Sequence, residues 1–184
     1  MGHQKHDAQI ASDAIMIPVI ADDGSLYPME KMAAHRSPNL HLAVSIFVFD
    51  LEGKLLIQRR ADHKYHCGGK WANTCCSHPH WGEDINSAAH RRLGEELGFE
   101  VPLSETRVVE YSADVGSGLW EWERVHMFRA DVARGSVEPE PNSDEVSETR
   151  WVSAAELSAE IAEDADDFAP WFRIYVERFP TLNF

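Results

Sequence analysis

The chain has 184 residues, 43% of them hydrophobic and 26% charged, with a formal net charge of -14. That length suits one domain around one sizeable core, and the acidity disfavours a nucleic-acid or anionic-membrane surface, because those rest on Lys and Arg neutralising phosphates. No apolar run approaches the roughly 18 residues of a membrane span.

The first stretch, MGHQKHDAQ, has neither the apolar core of an export signal nor an Arg-rich amphipathic pattern. It predicts a disordered tail over residues 1–12, His3 and His6 included, ahead of a single domain over residues 13–184. Three cysteines, Cys67, Cys75 and Cys76, two of them adjacent, are a poor basis for a disulfide framework and point to a reducing, cytoplasmic compartment. AIMIPVI at 14–20, followed by the turn signal ADDGS, predicts an edge strand limited by Pro18, with a hairpin continuing through Leu26 and Met29. LHLAVSIFVFD and KLLIQRR, separated by LEG around Gly53, predict a paired β-hairpin. A Gly-rich connection, HCGGKW, then leads to ANTCCSHP, which Pro79 stops.

From Asp84 to Leu97 the apolar period becomes 3.6, with Ile85, Ala88, Ala89, Leu93 and Leu97 on one stripe, Asp84 as the cap and Gly98 as the stop. Strands follow at TRVVEYSA, WEWERVHMFRADV and VSETRWV. Ser153 with Glu156 forms a capping-box signal for a helix from Ala154, and Pro170 opens a last helix, WFRIYVERF. This order predicts a single α/β (α+β) domain, a mixed β-sheet sandwiched by helices. The acidic run ELSAEIAEDADDF reads as a solvated surface rather than a lid or partner face.

ANTCCSHPHW offers the residues of a zinc staple, a redox pair or an active-site edge, and spacing alone leaves all three open. If the segment is extended, Cys76 and His78 share one face and Cys75 takes the other. By the same alternation Glu121 and Glu123 share a face, opposite Trp120, Trp122 and Arg124. Two carboxylates aimed together repel unless solvent, a proton or a cation intervenes. His35 and His41 flank HRSPNLH at the mouth of a strand, and with His78 they could complete a divalent site suited to Zn, Mn or Fe. Lys54, Arg59, Arg60, Lys64 and Lys70 fall in one window, which is either a solvated strand end or an anion pocket suited to a diphosphate. Arg92 and Glu96, one helical turn apart, are either an ordinary surface pair or a ligand-facing pair.

Ser77 to Phe99 resembles a degenerate Nudix box. Glu83, Arg91, Leu93, Glu95, Glu96, Gly98 and Phe99 match it, whereas Ser77 replaces its first glycine and Arg92 the first glutamate of its run. An arginine amid that cluster argues against metal-assisted diphosphate hydrolysis. The chain is more similar to one branch of the superfamily, the type 1 isopentenyl-diphosphate isomerases, from about Met16 to Trp171. The signatures are MEKMAAH, LHLAVSIFVFD, LLIQRRA, KWANTCCSHP, RRLGEELG, WEWE and PW, in that order.

The resemblance implies that Cys76 and Glu123 transfer protons to and from a five-carbon substrate, with Tyr111 assisting. It implies a divalent metal on His35, His41, His78, Glu121 and Glu123, either Mn2+, Zn2+ or Mg2+, and a Mg2+ at Glu96 that bridges the substrate diphosphate. Lys31, Arg60, Lys64, Ser77 and Arg92 match positions around that diphosphate, and Tyr111 and Trp171 match the lining of the hydrocarbon pocket. On that reading Cys75 packs and Cys67 is a bystander. The partner is the small-molecule isopentenyl or dimethylallyl diphosphate, with no nucleic acid or membrane, and the protein is a monomer or weak homodimer. A diphosphohydrolase and a non-catalytic binding module are the alternatives, because fold does not fix chemistry.

Overall fold

A computed structural model describes residues 14–184. The expectation for residues 1–12, with His3 and His6, lies outside the described residues. Within them the strands are β1 (Met16–Ile20), β2 (Leu26–Glu30), β3 (His41–Asp50), β4 (Leu55–Arg60), β5 (Trp71–Ala72), β6 (Cys75–Ser77), β7 (Ser104–Gly116), β8 (Leu119–Val132) and β9 (Val146–Val152). The helices are α1 (Lys31–Arg36), α2 (Ile85–Leu97), α3 (Ala154–Glu163) and α4 (Pro170–Arg178), with a 3-10 turn at Ala165–Asp167. No described helix is long and apolar enough to cross a membrane.

All nine strands join one mixed sheet, and β3 is its hub. It runs parallel to β8 along its whole length, from His41 opposite Glu123 to Asp50 opposite Val132. Side chains of β3 alternate between two cores. Ala43 and Phe47 pack toward Phe172 and Tyr175 of α4. Val44, Ile46 and Val48 pack toward Ala89, Leu93 and Leu97 of α2. A β-branched and aromatic strand covered on both faces is what a buried central strand requires. The sheet is therefore sandwiched by helices, as the element order predicted.

Helix α2 starts and stops where the sequence placed it. The Asp84 side chain accepts from the Ser87 N–H at 3.0 Å, and Gly98 closes the helix in the left-handed region with φ 72°. Burying Leu93 and Leu97 contributes about 1.5–3 kcal/mol each, which outweighs the roughly 1 kcal/mol that Gly94 costs in the helix interior. Ser153 and Glu156 form the expected capping box at α3, and Pro170 opens α4.

Two local expectations are corrected. First, β1 lies between β2 and β3, and β2 is the outer strand. Pro18 sits directly opposite Pro28, so the two residues without an N–H share one gap in the ladder. Second, β3 and β4 pair only at Phe49 and Leu55 and then fork. Strand β6 fills the fork on the β3 side and β5 on the β4 side. Thr74 bridges it, its hydroxyl accepting from the Val48 N–H at 2.9 Å and donating to the Leu56 carbonyl at 2.6 Å. Those polar links satisfy backbone groups that a simple hairpin would have paired. Residues 31–36, to which the sequence assigned no element, form α1, because the Glu30 carboxylate caps it, accepting from the Met32 and Ala33 N–H groups at 2.8 Å each.

Candidate active site

Sheet register assembles the chemistry. His41 on β3 stands beside Glu123 on β8, Tyr111 on β7 beside Glu123, and Ser45 on β3 beside Cys76 on β6. Alternation along β8 turns Glu121 and Glu123 inward, 4% and 5% exposed, while Trp120 and Trp122 face outward at 41% each. The fork delivers Cys76 and His78 to the same cavity, and Cys75 goes to the α2 core. The pocket has an empty volume, mouth included, of about 430 Å3.

At its floor His35, His41, His78 and Glu123 offer ligand atoms within 4.8 Å of one another. His35 Nδ1 lies 2.7 Å from the Lys31 carbonyl and His41 Nδ1 lies 2.7 Å from the Asn39 carbonyl. A carbonyl only accepts, so both Nδ1 atoms carry hydrogen and both Nε2 atoms present bare lone pairs. Each of those Nε2 atoms is buried without a hydrogen-bond partner, and His41 Nε2 faces Glu123 Oε1 at 3.5 Å. A lone pair facing a carboxylate oxygen requires a cation or a proton between them. Burial pushes His35 down to about 4, with His41 adding to the effect. Burial likewise takes His78 to about 3, against the pull of Glu123. The His35 and His78 imidazoles are therefore uncharged near neutral pH, and with the partnerless His41 Nε2 beside Glu123 the donor set fits a divalent ion held by imidazole and carboxylate.

The carboxylates are differentiated. Tyr111 OH lies 2.7 Å from Glu121 Oε2 and 2.7 Å from Glu123 Oε2, and its single proton serves one of them. Burial and the neighbouring Glu123 hold Glu121 well above the usual carboxylate range. Burial works in the same direction on Glu123, but the His41 and His78 rings beside it, His78 Nε2 within hydrogen-bond distance at 2.9 Å, outweigh it and hold that carboxyl well below the range.

Cys76 hangs over this floor. Its S–H donates to Asn73 Oδ1 at 2.8 Å, and Ser45 Oγ lies 3.3 Å from Sγ and 3.1 Å from Tyr175 OH. Both hydrogens of the Asn73 amide are taken by the Ile46 and Cys75 carbonyls, which fixes Oδ1 toward the thiol. Burial, with Glu123 and Glu121 adding to it, raises the Cys76 pKa well above the ordinary thiol range.

The pocket mouth is cationic. Lys31, Arg60, Lys64 and Arg92 line it, with Ser77 and Glu96. Burial and the Lys64 and Arg92 charges push Lys31 down to about 8, the mark of a cluster with too few counter-charges. Glu145, which no local signal singled out, pairs with Lys64 and lies 3.4 Å from Arg92. The basic window is split by strand alternation. Arg59 turns away to Asp167 at 3.8 Å and Lys70 binds the Asp166 carbonyl, so they fasten the acidic segment rather than face the pocket. Arg92 Nη2 lies 2.6 Å from Glu96 Oε1, and Gln58 donates to Glu96 Oε2 at 2.9 Å. Glu96 thus belongs to the pocket's edge and not to the histidine cluster. Trp171 forms part of the far wall, with the Arg60 guanidinium 5.3 Å from its ring.

A NUDIX domain matches residues 39–172. The isopentenyl-diphosphate Delta-isomerase of Rhodobacter capsulatus is 45% identical over 170 residues, spanning 92% of this chain and 95% of that protein. The chain belongs to the isopentenyl-diphosphate Delta-isomerases of the Nudix superfamily. The family enzyme of Ruegeria pomeroyi is 48% identical over 164 residues, covering 88% of this chain and 89% of its own. Among solved structures, a Deinococcus radiodurans protein superposes with TM-score 0.69 at 19% identity over 89% of this chain and 98% of that one. A MutT protein of Methanosarcina mazei gives 0.60 at 18% identity over 76% and 92%. These two similarities concern the fold alone. Within the family site, residue reasoning missed Asn73, which meets Cys76 three residues away, and His66, Glu145, Ser45 and Tyr175, whose roles depend on partners remote in sequence.

Proposed function

We propose that this isomerase interconverts isopentenyl and dimethylallyl diphosphate, with Cys76 and Glu123 carrying the two proton transfers. The observation that carries this is a half-buried thiol and a buried carboxylate, from different strands, facing one pocket with a cationic mouth and an aromatic wall. The terminal methylene of isopentenyl diphosphate gains a proton, leaving a tertiary cation on the adjacent carbon. Loss of a proton from the neighbouring methylene then forms the internal double bond. Reversibility makes each residue acid in one direction and base in the other. Trp171 and Tyr111 place π faces beside the cation, worth roughly 0.5–2 kcal/mol for such a contact, and exclude the water that would trap it.

Lys31, Arg60, Lys64 and Arg92 hold the diphosphate, with Ser77 beside them. His35, His41, His78, Glu121 and Glu123 would hold a divalent ion, Mn2+, Zn2+ or Mg2+, and Glu96 would take a Mg2+ that arrives with the diphosphate. The first ion supplies positive charge that fixes the carboxylates and favours their ionised forms. Tyr111 then positions Glu123 through its hydroxyl. The pocket is complete within one chain, so a monomer suffices.

Incubation of the metal-replete protein with isopentenyl diphosphate in deuterated water tests this by NMR. Dimethylallyl diphosphate carrying deuterium is expected; release of phosphate or pyrophosphate would instead establish a hydrolase. Gly68→Ala probes the diphosphate end, because a Cβ there collides with the Asp62 carbonyl group and displaces the 61–70 loop that carries Lys64. KM should rise by about 10-fold, the loss of roughly one charge-assisted hydrogen bond, in steady-state kinetics.

A further inference from the structure

We infer that His66 is an additional ligand of the divalent ion, on the Glu121 side of the cluster. The inference rests on the reading of His35, His41, His78 and the two glutamates as a metal site. His66, on the connection from β4 to β5, is 6% exposed, and neither of its ring nitrogens has a hydrogen-bond partner. A neutral imidazole so placed leaves one N–H and one lone pair buried and unpaired, which folded proteins avoid.

Its position supplies the remedy. His66 Nε2 lies 3.5 Å from Glu121 Oε1, beyond the 2.7–3.2 Å of an N–H to oxygen hydrogen bond. With His35 these two residues form a second donor group whose ligand atoms lie within 4.8 Å of one another. His35 is common to both groups, and its one free nitrogen serves one ion, so the groups describe a single site with donors on two sides. The His66 and His35 rings lie nearly parallel, 26° apart with centroids at 6.0 Å. The backbone is fixed for this task. Arg60 Nη2 donates to the His66 carbonyl at 3.3 Å, and Cys67 takes a left-handed φ of 51°, uncommon for a non-glycine residue.

His66 thereby ties the metal to the loop that carries Lys64 and to the aromatic wall, since its ring stands edge-on to Trp171 at 5.7 Å. Binding of the ion and ordering of the diphosphate end become one event. A hydrogen bond from His66 to Glu121 without coordination is the competing arrangement.

The test loads chelator-treated, histidine-15N-labelled protein with one equivalent of Co2+ and counts hyperfine-shifted imidazole N–H signals by NMR. Four are expected, from His35, His41, His78 and His66, and His66→Gln should remove one and weaken Co2+ binding by about 10-fold or more. Three signals in the wild type, with His66→Gln binding Co2+ as tightly, would overturn the inference while leaving the metal site intact. The wild-type count decides the matter even if the variant folds poorly. A wild type that retains no Co2+ would overturn the site itself and this inference with it.

Discussion

Cys76→Ser should lower kcat by about 10²- to 10⁴-fold, the span of a lost general acid or base, with KM for isopentenyl diphosphate little changed. Serine is chosen because it keeps a donor for Asn73 Oδ1, which lies 2.8 Å from the thiol sulfur. Alanine would leave that buried carbonyl unpaired, at a cost of about 1–3 kcal/mol, and would confuse stability with chemistry. The hydroxyl is a far weaker acid than the thiol, so the proton transfer fails while the shape survives. KM holds because the diphosphate contacts come from Lys31, Arg60, Lys64 and Arg92 at the mouth. Deuterium incorporation from solvent, measured with the same variant, should fall in parallel with kcat. Turnover within a few-fold of wild type would remove Cys76 from the mechanism.

What the sequence makes legible here is what depends on neighbours a few residues away. Alternation in LWEWERV turns Glu121 and Glu123 together toward the interior, and alternation in CCSH separates Cys75 from Cys76 and His78. Asp84 and Gly98 frame α2 because a cap needs only its own first or last turn. Distant pairings leave no such mark. The expected hairpin fails because β6, some 30 residues on, takes the β3 edge from Val44 to Ile46 that β4 would have paired, and local pattern cannot rank partners at that range. The same limit hides Tyr175, which meets Ser45 across 130 positions, and Glu145, which meets Lys64 across 81. His66 sits in a turn, where no periodicity tells which way a side chain faces. The Cys76 environment is hidden for a related reason: positive charge is dense in the sequence window beside it, yet the fold sends Arg59 and Lys70 to the acidic segment and sets Glu121 and Glu123 near the thiol.

Glu123→Gln should lower kcat by at least about 10²-fold and weaken divalent-metal binding, and the two effects are separable. Glu123 Oε1 faces His78 Nε2 at 2.9 Å and His41 Nε2 at 3.5 Å, while Oε2 lies 2.7 Å from Tyr111 OH. One oxygen therefore looks toward the ion site and the other toward the phenol. Glutamine keeps the volume but removes the charge, and its amide cannot accept a proton from carbon at any working pH. Saturating the variant with Mn2+ should restore occupancy without restoring turnover. Tyr111→Phe provides the contrast, because it removes the hydroxyl that positions Glu123 and leaves the carboxylate in place. Its kcat should fall less than that of Glu123→Gln, with metal affinity nearly unchanged. Full recovery of Glu123→Gln at high Mn2+ would reduce Glu123 to a metal ligand and move the second proton transfer to another group, with Glu121, whose carboxyl burial and Glu123 hold toward its protonated form, as the nearest candidate.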